Sequence, residues 1–253
     1  MAAKDRTIRR IACSEIWGGI RDVDVDAQTG SLAASIYSAA CDGGRGGDIY
    51  YISVCGADQL TRIAIADVVG HGQAVSQVSQ WVYDIMAARM SNPDADELLA
   101  DLNRQIYQRG FDALTTAAVI GFYKFDSHLY VSYAGHPPLL MCRAGERTWR
   151  VAGRRSLTER SNLPLGVAEK VEFLQDQIAL EPGDRLVAYT DGVIEAPSPT
   201  GEGFGQARLM AALEQANGSD LAALKHRVLH AVRQHIGGPL RHDDTTLIAI
   251  EIR

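Results

Sequence analysis

Short apolar blocks alternate with turn chemistry along most of this chain. Leu32–Ala40, Asp48–Cys55 and Leu60–Ala66 are rich in β-branched, aromatic and other apolar residues, the composition of strands. The last two are joined by Cys55-Gly56-Ala57-Asp58-Gln59, which reads as a hairpin loop. Thr115–Lys124 and Leu129–Ala134 flank a second such loop, Phe125-Asp126-Ser127-His128. Phe173–Leu180 and Arg185–Tyr189 flank Glu181-Pro182-Gly183-Asp184, where Pro and Gly supply the backbone angles of a tight turn. Thr246–Ile252 closes the chain with alternating apolar residues.

Helical spacing shows in three places. Val75, Val78, Val82, Ile85, Met86 and Met90 recur at three- and four-residue intervals after a glycine-rich loop. A second helix is expected to open at Asn92-Pro93, a cap followed by a first-turn proline, and to carry Leu98, Leu99, Leu102 and Ile106. A third pairs Ser219 as cap with Leu221, Leu224, Val228, Val232 and Ile236, and a shorter helix is expected near Gln206–Gln215. Tight hairpins make the strand pairs mostly antiparallel, and helices in separate blocks can cover opposite faces of stacked sheets. The expectation is an α/β (α+β) sandwich of two mainly antiparallel sheets flanked by helices, not a doubly wound parallel sheet. No repeat, low-complexity tract or linker divides the 253 residues, so one domain over 1–253 is expected.

Composition narrows the function classes. Apolar residues make up 46 % and charged residues 22 %, which excludes bulk disorder. The net charge of −6 repels nucleic acid, and the densest basic spots, Arg6/Arg9/Arg10 and Arg154/Arg155, do not offset it. No apolar run is long enough for membrane insertion and the N-terminus has no signal-peptide core, so a cytoplasmic protein is expected. Cys13, Cys41, Cys55 and Cys142 form no CxxC pair and are expected as buried reduced thiols.

The chemical signal is a set of aspartates beside glycines at strand ends. Asp48 follows Gly46-Gly47, Asp67 precedes Val68-Val69-Gly70-His71-Gly72, Asp191 precedes Gly192, and Asp243 and Asp244 open the last strand. Clustered carboxylates repel one another and need cations. Oxygen donors with no companion cysteine and few histidines suit Mg²⁺ or Mn²⁺ better than Zn²⁺. Glycine lets the backbone come close enough for a carbonyl to join the donors.

Taken together these segments resemble a known family. GGDIYY (46–51), ADVVGHG (66–72), YAGHPPLL (133–140), LPLGV (163–167), LEPGDRLVAYTDGVIEA (180–196), FGQARL (204–209) and HDDTTLIAIEI (242–252) look like the successive motifs of the SpoIIE-type bacterial branch of the metal-dependent, protein phosphatase 2C-like superfamily. The match runs from about residue 40 to 253, and residues 1–30 form an unmatched N-terminal extension. The resemblance implies an αββα sandwich, a centre of two Mn²⁺ or Mg²⁺ ions, and hydrolysis of phosphoserine or phosphothreonine on a protein. By motif, Asp67 would bridge the ions, the Val68 carbonyl would ligate one, and Asp191 and Asp243 would hold the other, with Asp48 supporting the first. Asp244 is the alternative to Asp243, which is preferred because it stands three residues before Thr246. Metal-activated water needs no side-chain nucleophile, so a missing GxSxG motif carries no weight.

Other residues keep two readings. His71 is a general acid for the leaving oxygen or a loop-ordering residue. Arg45 meets the substrate phosphate or is a solvated loop arginine. His136 shapes the turn before two prolines. Asp22, Asp24 and Asp26 lack the rest of a calcium loop and are expected to be solvated. Trp81 and Tyr83 lie off the main apolar stripe of the first helix and leave a helix-mediated dimer open. The implied substrate is a phosphorylated signalling protein such as an anti-anti-sigma-type regulator, with a regulatory protein partner possible. The alternatives are a catalytically silent phosphatase-fold binding module and a small-molecule phosphomonoesterase.

Overall fold

The computed structural model describes residues 8–89, 94–153 and 163–253. Arg6, Met90, Asn92, Pro93, Arg154 and Arg155 lie outside the described residues, so the second helix's expected opening does too. In chain order the elements are β1 (Ile8–Arg10), β2 (Ile16–Arg21), β3 (Val23–Gln28), β4 (Leu32–Ala39), β5 (Arg45–Cys55), β6 (Leu60–Val68), α1 (Ser76–Ala87) and α2 (Ala95–Arg109). There follow β7 (Thr115–Tyr123), β8 (His128–Ala134), β9 (Leu140–Cys142), β10 (Arg150–Val151), β11 (Gln175–Ala179), β12 (Arg185–Tyr189), α3 (Asp191–Ile194), α4 (Gly205–Gln215), α5 (Leu221–Ile236) and β13 (Thr245–Ile252).

Among the described residues one sheet runs β1-β3-β4-β13-β12-β9-β10 and the other β11-β8-β7-β6-β5-β2. Every pair is antiparallel except β1 with β3. The central strands read as unbroken apolar runs because both faces are covered. On β5, Tyr50, Ile52 and Val54 point between the sheets, where they meet Ile36, Ile63, Val131, Leu186 and Ile248. Ile49 and Tyr51 point the other way, under Val82 and Met86 of α1 and Leu98, Leu102 and Ile106 of α2. Across the sandwich, Val187, Tyr189 and Leu247 pack under Leu209 and Leu213 of α4 and Leu224, Val228 and Val232 of α5. Three apolar layers therefore separate four structural ones, the expected αββα sandwich. Among the described residues no helix is long and apolar enough to cross a membrane.

Several expectations change. Asp220, not Ser219, caps α5, its side chain accepting from Ala223 N at 2.6 Å. The N-terminal region contributes β1, β2 and β3 to both sheets and is not an appendage. Its aspartates are not merely solvated. Asp22 accepts the N–H groups of Ala40 and Gly44, at 2.8 and 3.1 Å. Asp24 pairs with Lys225, which is 1 % exposed, and Asp26 accepts from Ser35 Oγ at 2.5 Å. A buried ammonium requires such a partner. Of the four cysteines, all free, Cys142 is buried, Cys41 and Cys55 are partly exposed and Cys13 is exposed.

Candidate active site

The strand register brings the first two carboxylates together. Asp48 on β5 is directly opposite Asp67 on β6. The alternation that turns Tyr50 and Ile65 between the sheets turns both aspartates the same way, at the end of the sandwich. The facing sheet supplies the others: β12 leads into Thr190 and then Asp191, the first residue of α3, and Asp243 and Asp244 lead into its neighbour β13. Thr190 ties the two sheets here. Its hydroxyl donates to Asp48 Oδ2 at 2.8 Å and accepts from Thr246 N at 2.9 Å. The other oxygen, Asp48 Oδ1, is buried without a hydrogen-bond partner.

Electrostatics follow from this crowding. Burial, and then Asp48, Asp191 and Asp243, hold the Asp67 carboxyl well above the ordinary range. Burial likewise holds Asp48 well above it, against the lowering effect of Thr246 and Thr190. Asp191 and Asp243 are raised, each chiefly by burial.

Glycine opens room for the backbone. A Cβ at Gly47 would stand 2.8 Å from the Val68 carbonyl oxygen, 3.0 Å from that of Gly70 and 3.2 Å from Asp67 Oδ1. One at Gly192 would overlap the Asp244 carbonyl. The Val68 carbonyl and the Asp67 carboxylate thus share one small space against the Gly47 backbone.

Asp244 faces elsewhere. Its carboxylate, on a residue 2 % exposed, accepts from Cys41 N at 2.8 Å, Gly47 N at 2.5 Å and Gly72 N at 2.9 Å. It clasps the loop before β5 to the loop after β6, and Gly46 lies against it with no space for a side chain. His71 is exposed, with Nδ1 3.3 Å from Cys41 Sγ, and is among the neighbours that act on Asp243. Arg45 opens β5 opposite Arg21 and is not among the charges that act most on the four carboxylates. His136 is buried, its Nδ1 2.9 Å from the Pro137 carbonyl, in keeping with a turn role.

His242 is a further residue of the site to which no motif in the sequence assigns a role. Its Nε2 lies 2.8 Å from the Gly192 carbonyl and its Nδ1 is buried without a partner. The available signal was its place immediately before the paired aspartates.

The donor set fits hard divalent cations: carboxylate and carbonyl oxygens, a buried oxygen lacking a donor, and mutual repulsion that a cation would relieve. Among the described residues no three His, Cys, Asp or Glu side chains converge tightly enough to enclose an ion.

The sandwich is that of the phosphatase 2C-like domains. Over 93 % of this chain and 63 % of theirs it superposes on the RsbU and RsbW domains of Rv1364c from Mycobacterium tuberculosis, with a TM-score of 0.73 and 21 % identity. The catalytic domain of the serine/threonine protein phosphatase PstP, solved with two manganese ions, superposes with a TM-score of 0.56 at 17 % identity over 88 % of this chain and 98 % of that one. The chain belongs to the SpoIIE family, whose profile, Stage II sporulation protein E, matches residues 57–253. It is 23 % identical over 227 residues to the phosphoserine phosphatase RsbP of Bacillus subtilis, covering 87 % of this chain and 52 % of that protein. The chain therefore spans about half the length of that relative.

Proposed function

We propose that this chain is a metal-dependent protein serine/threonine phosphatase that hydrolyses phosphoserine or phosphothreonine on a signalling protein. The observation that carries the reading is the meeting of Asp48 and Asp67 from one sheet with Asp191 and Asp243 from the other, around a buried carboxylate oxygen without a partner. Asp48, Asp67 and the Val68 carbonyl would hold one Mn²⁺ or Mg²⁺ ion, and Asp67, Asp191 and Asp243 a second. Bound there, the ions offset the charge of the phosphomonoester dianion and activate water for attack. Thr190 fixes the rotamer of Asp48, so one oxygen stays aimed into the site. Asp244 holds the two loops that carry Gly47 and Gly72. His71, exposed and within the field of Asp243, is the candidate proton donor to the leaving serine oxygen. Arg45 has no comparable support as a phosphate ligand.

Four cavities among the described residues, of about 470, 580, 220 and 510 Å³, are lined by residues other than these aspartates. RsbP, named a phosphoserine phosphatase, supports the proposed substrate class. An anti-anti-sigma-type regulator is the proposed substrate.

The test is hydrolysis of a phosphoserine protein and of p-nitrophenyl phosphate with Mn²⁺ and with EDTA, beside Asp67→Asn and Asp191→Asn. Turnover that needs Mn²⁺ and is lost in both variants is the expected result. Turnover of p-nitrophenyl phosphate alone would favour the small-molecule phosphomonoesterase. Neither turnover nor Mn²⁺ binding would overturn the reading in favour of a silent binding module.

A further inference from the structure

One of these cavities lies far from the active-site carboxylates, at the tip of the β7–β8 hairpin. It encloses about 220 Å³ and is lined by Tyr123, Phe125, Tyr130, Asp94, Asp126 and Gln175. Register gives its position: on β6 and β7, Asp67 pairs with Thr116 and Leu60 with Tyr123. Seven residues of extended strand separate the two ends, about 23 Å at ~3.3 Å per residue.

The rings are arranged at right angles. Tyr123 meets Phe125 edge-on at 5.8 Å and Tyr130 edge-on at 5.3 Å, both at 84°. Phe125 is 73 % exposed although the loop that carries it is pinned at both ends. Lys124 N donates to Gln59 O and Leu180 N to Ser127 O, each at 2.8 Å. Tyr130 is fixed as well, its hydroxyl donating to Asp126 Oδ2 at 3.1 Å and accepting from Gln177 Nε2 at 3.0 Å. Phe125 thus meets Tyr123 along one edge while most of its ring faces solvent.

Charge gives the ligand class. Arg62, buried behind the rings, lies in the fields of Tyr123 and Asp94. Asp94 lies in the field of Arg62, and Asp126 lines the cavity with its Oδ1 accepting the His128 N–H at 3.0 Å and its Oδ2 the Tyr130 hydroxyl. His128 Nδ1 is 3.8 Å from Asp126 Oδ1 and 2.6 Å from the Asp126 carbonyl. Aromatic rings set around a small cavity with a carboxylate at its edge attract organic cations, by ring quadrupole and Coulomb attraction together.

We propose that the Tyr123–Phe125–Tyr130 cavity binds a soft organic cation, a guanidinium or an alkylated ammonium, through its rings and Asp126. The site does not rest on the phosphatase reading and uses none of its residues. Such a cation comes either from a basic side chain of a partner protein or from a small quaternary ammonium.

The experiment titrates the full chain with tetramethylammonium chloride and, separately, with N-acetyl-arginine amide, with KCl as the ionic-strength control. Binding is read by calorimetry and by the ring resonances of Phe125 and Tyr130. The expected result is saturable binding in the millimolar range, weakened about three- to tenfold by Phe125→Ala and by Asp126→Asn. Stronger binding of the arginine probe assigns the site to a protein side chain, and stronger binding of tetramethylammonium to a small molecule. Phe125 is exposed, so its alanine variant keeps the fold, which an unchanged melting curve verifies. Phosphatase turnover should be the same in wild type and Phe125→Ala. No saturable response, a response matched by KCl, or binding undiminished in Phe125→Ala would each overturn the proposal.

Discussion

Neighbouring aspartates at the start of β13 should respond in opposite ways to substitution, and the difference can be worked from their contacts. Replacing Asp244 by alanine removes the acceptor for the N–H groups of Cys41, Gly47 and Gly72. Gly47 and Gly72 are buried, so their donors cannot turn to water without a loop opening. An unmet buried donor costs about 1–3 kcal/mol. Two of them, less the relief of repulsion on Asp48, Asp67 and Asp243, give a net loss of about 3 kcal/mol. For a protein of this size that lowers Tm by about 6–12 °C. Asp243 has the reverse balance: burial and the charges of Asp191 and Asp244 raise its pKa, so its ionised form strains the site. Asp243→Asn keeps an acceptor for the Asp244 N–H and removes the charge. Its Tm in EDTA should equal or exceed that of the wild type, while Mn²⁺ affinity falls at least about tenfold, the usual scale for losing an orienting or ligating group. Differential scanning calorimetry in EDTA and calorimetric Mn²⁺ titration measure both. An Asp244→Ala protein that melts like wild type but no longer binds Mn²⁺ would refute the division of labour.

Three other outcomes follow from the same geometry. Gly47→Ala should fold but bind Mn²⁺ weakly, because its Cβ would press at 2.8 Å on the Val68 carbonyl; a titration unchanged from wild type would show that this carbonyl is not used. Thr190→Val should lower stability by about 1–3 kcal/mol, since Asp48 Oδ2 and the Thr246 N–H both lose a buried partner, and denaturant unfolding would show it as a lower midpoint at unchanged slope. His136, pushed down to about 4 by burial, stays neutral in the fold while the unfolded chain takes up a proton below its ordinary 6.5. Its contribution is therefore intact above the unfolded value and is lost between 6.5 and 4, to a total of about 3 kcal/mol. His136→Gln should flatten the stability curve in that interval, and parallel curves for the two proteins would contradict a neutral buried imidazole.

Much of this fold is legible in period and punctuation. Apolar and β-branched blocks with Gly and Pro between them locate β4 to β8, β11 and β12, alternation locates β13, the i, i+3, i+4 stripes locate α1, α2 and α5, and the short helix expected near Gln206–Gln215 is α4. The missed elements share a cause. β1, β2 and β3 carry Arg, Trp-Gly-Gly and alternating Asp, and β9 and β10 span three and two residues. Local propensity is weak in such segments, and tertiary pairing decides them. The polar residues of β3 are explained by Ser35 on the neighbouring strand and by a buried lysine contributed by α5, 201 residues from Asp24. The acidic residues of the site were visible as Asp-Gly punctuation at strand ends. Their partners were not, since the hydroxyl of Thr190 and the imidazole of His242 look like ordinary strand and loop residues until two sheets are stacked.

The family profile begins at residue 57, yet the site draws on what precedes it. Asp48 lies on β5, before that boundary, and pairs with Asp67 beyond it. The loop that leads into β5 is held from two directions. Asp244 takes its Cys41 and Gly47 N–H groups, and Asp22, at the end of β2, takes those of Ala40 and Gly44. β3 in turn shields one edge of β4 and supplies the Asp24 carboxylate that neutralises Lys225 under α5. Removing a partner from a buried ion pair costs more than the pair contributes, because the remaining charge stays in a poor solvent. The first three strands are therefore coupled both to the carboxylate cluster, through Asp22, and to the opposite helical layer, through Asp24. A displacement of β2 and β3 would reach Asp48 through Asp22 and the loop it holds before β5, without passing through α1 or α2.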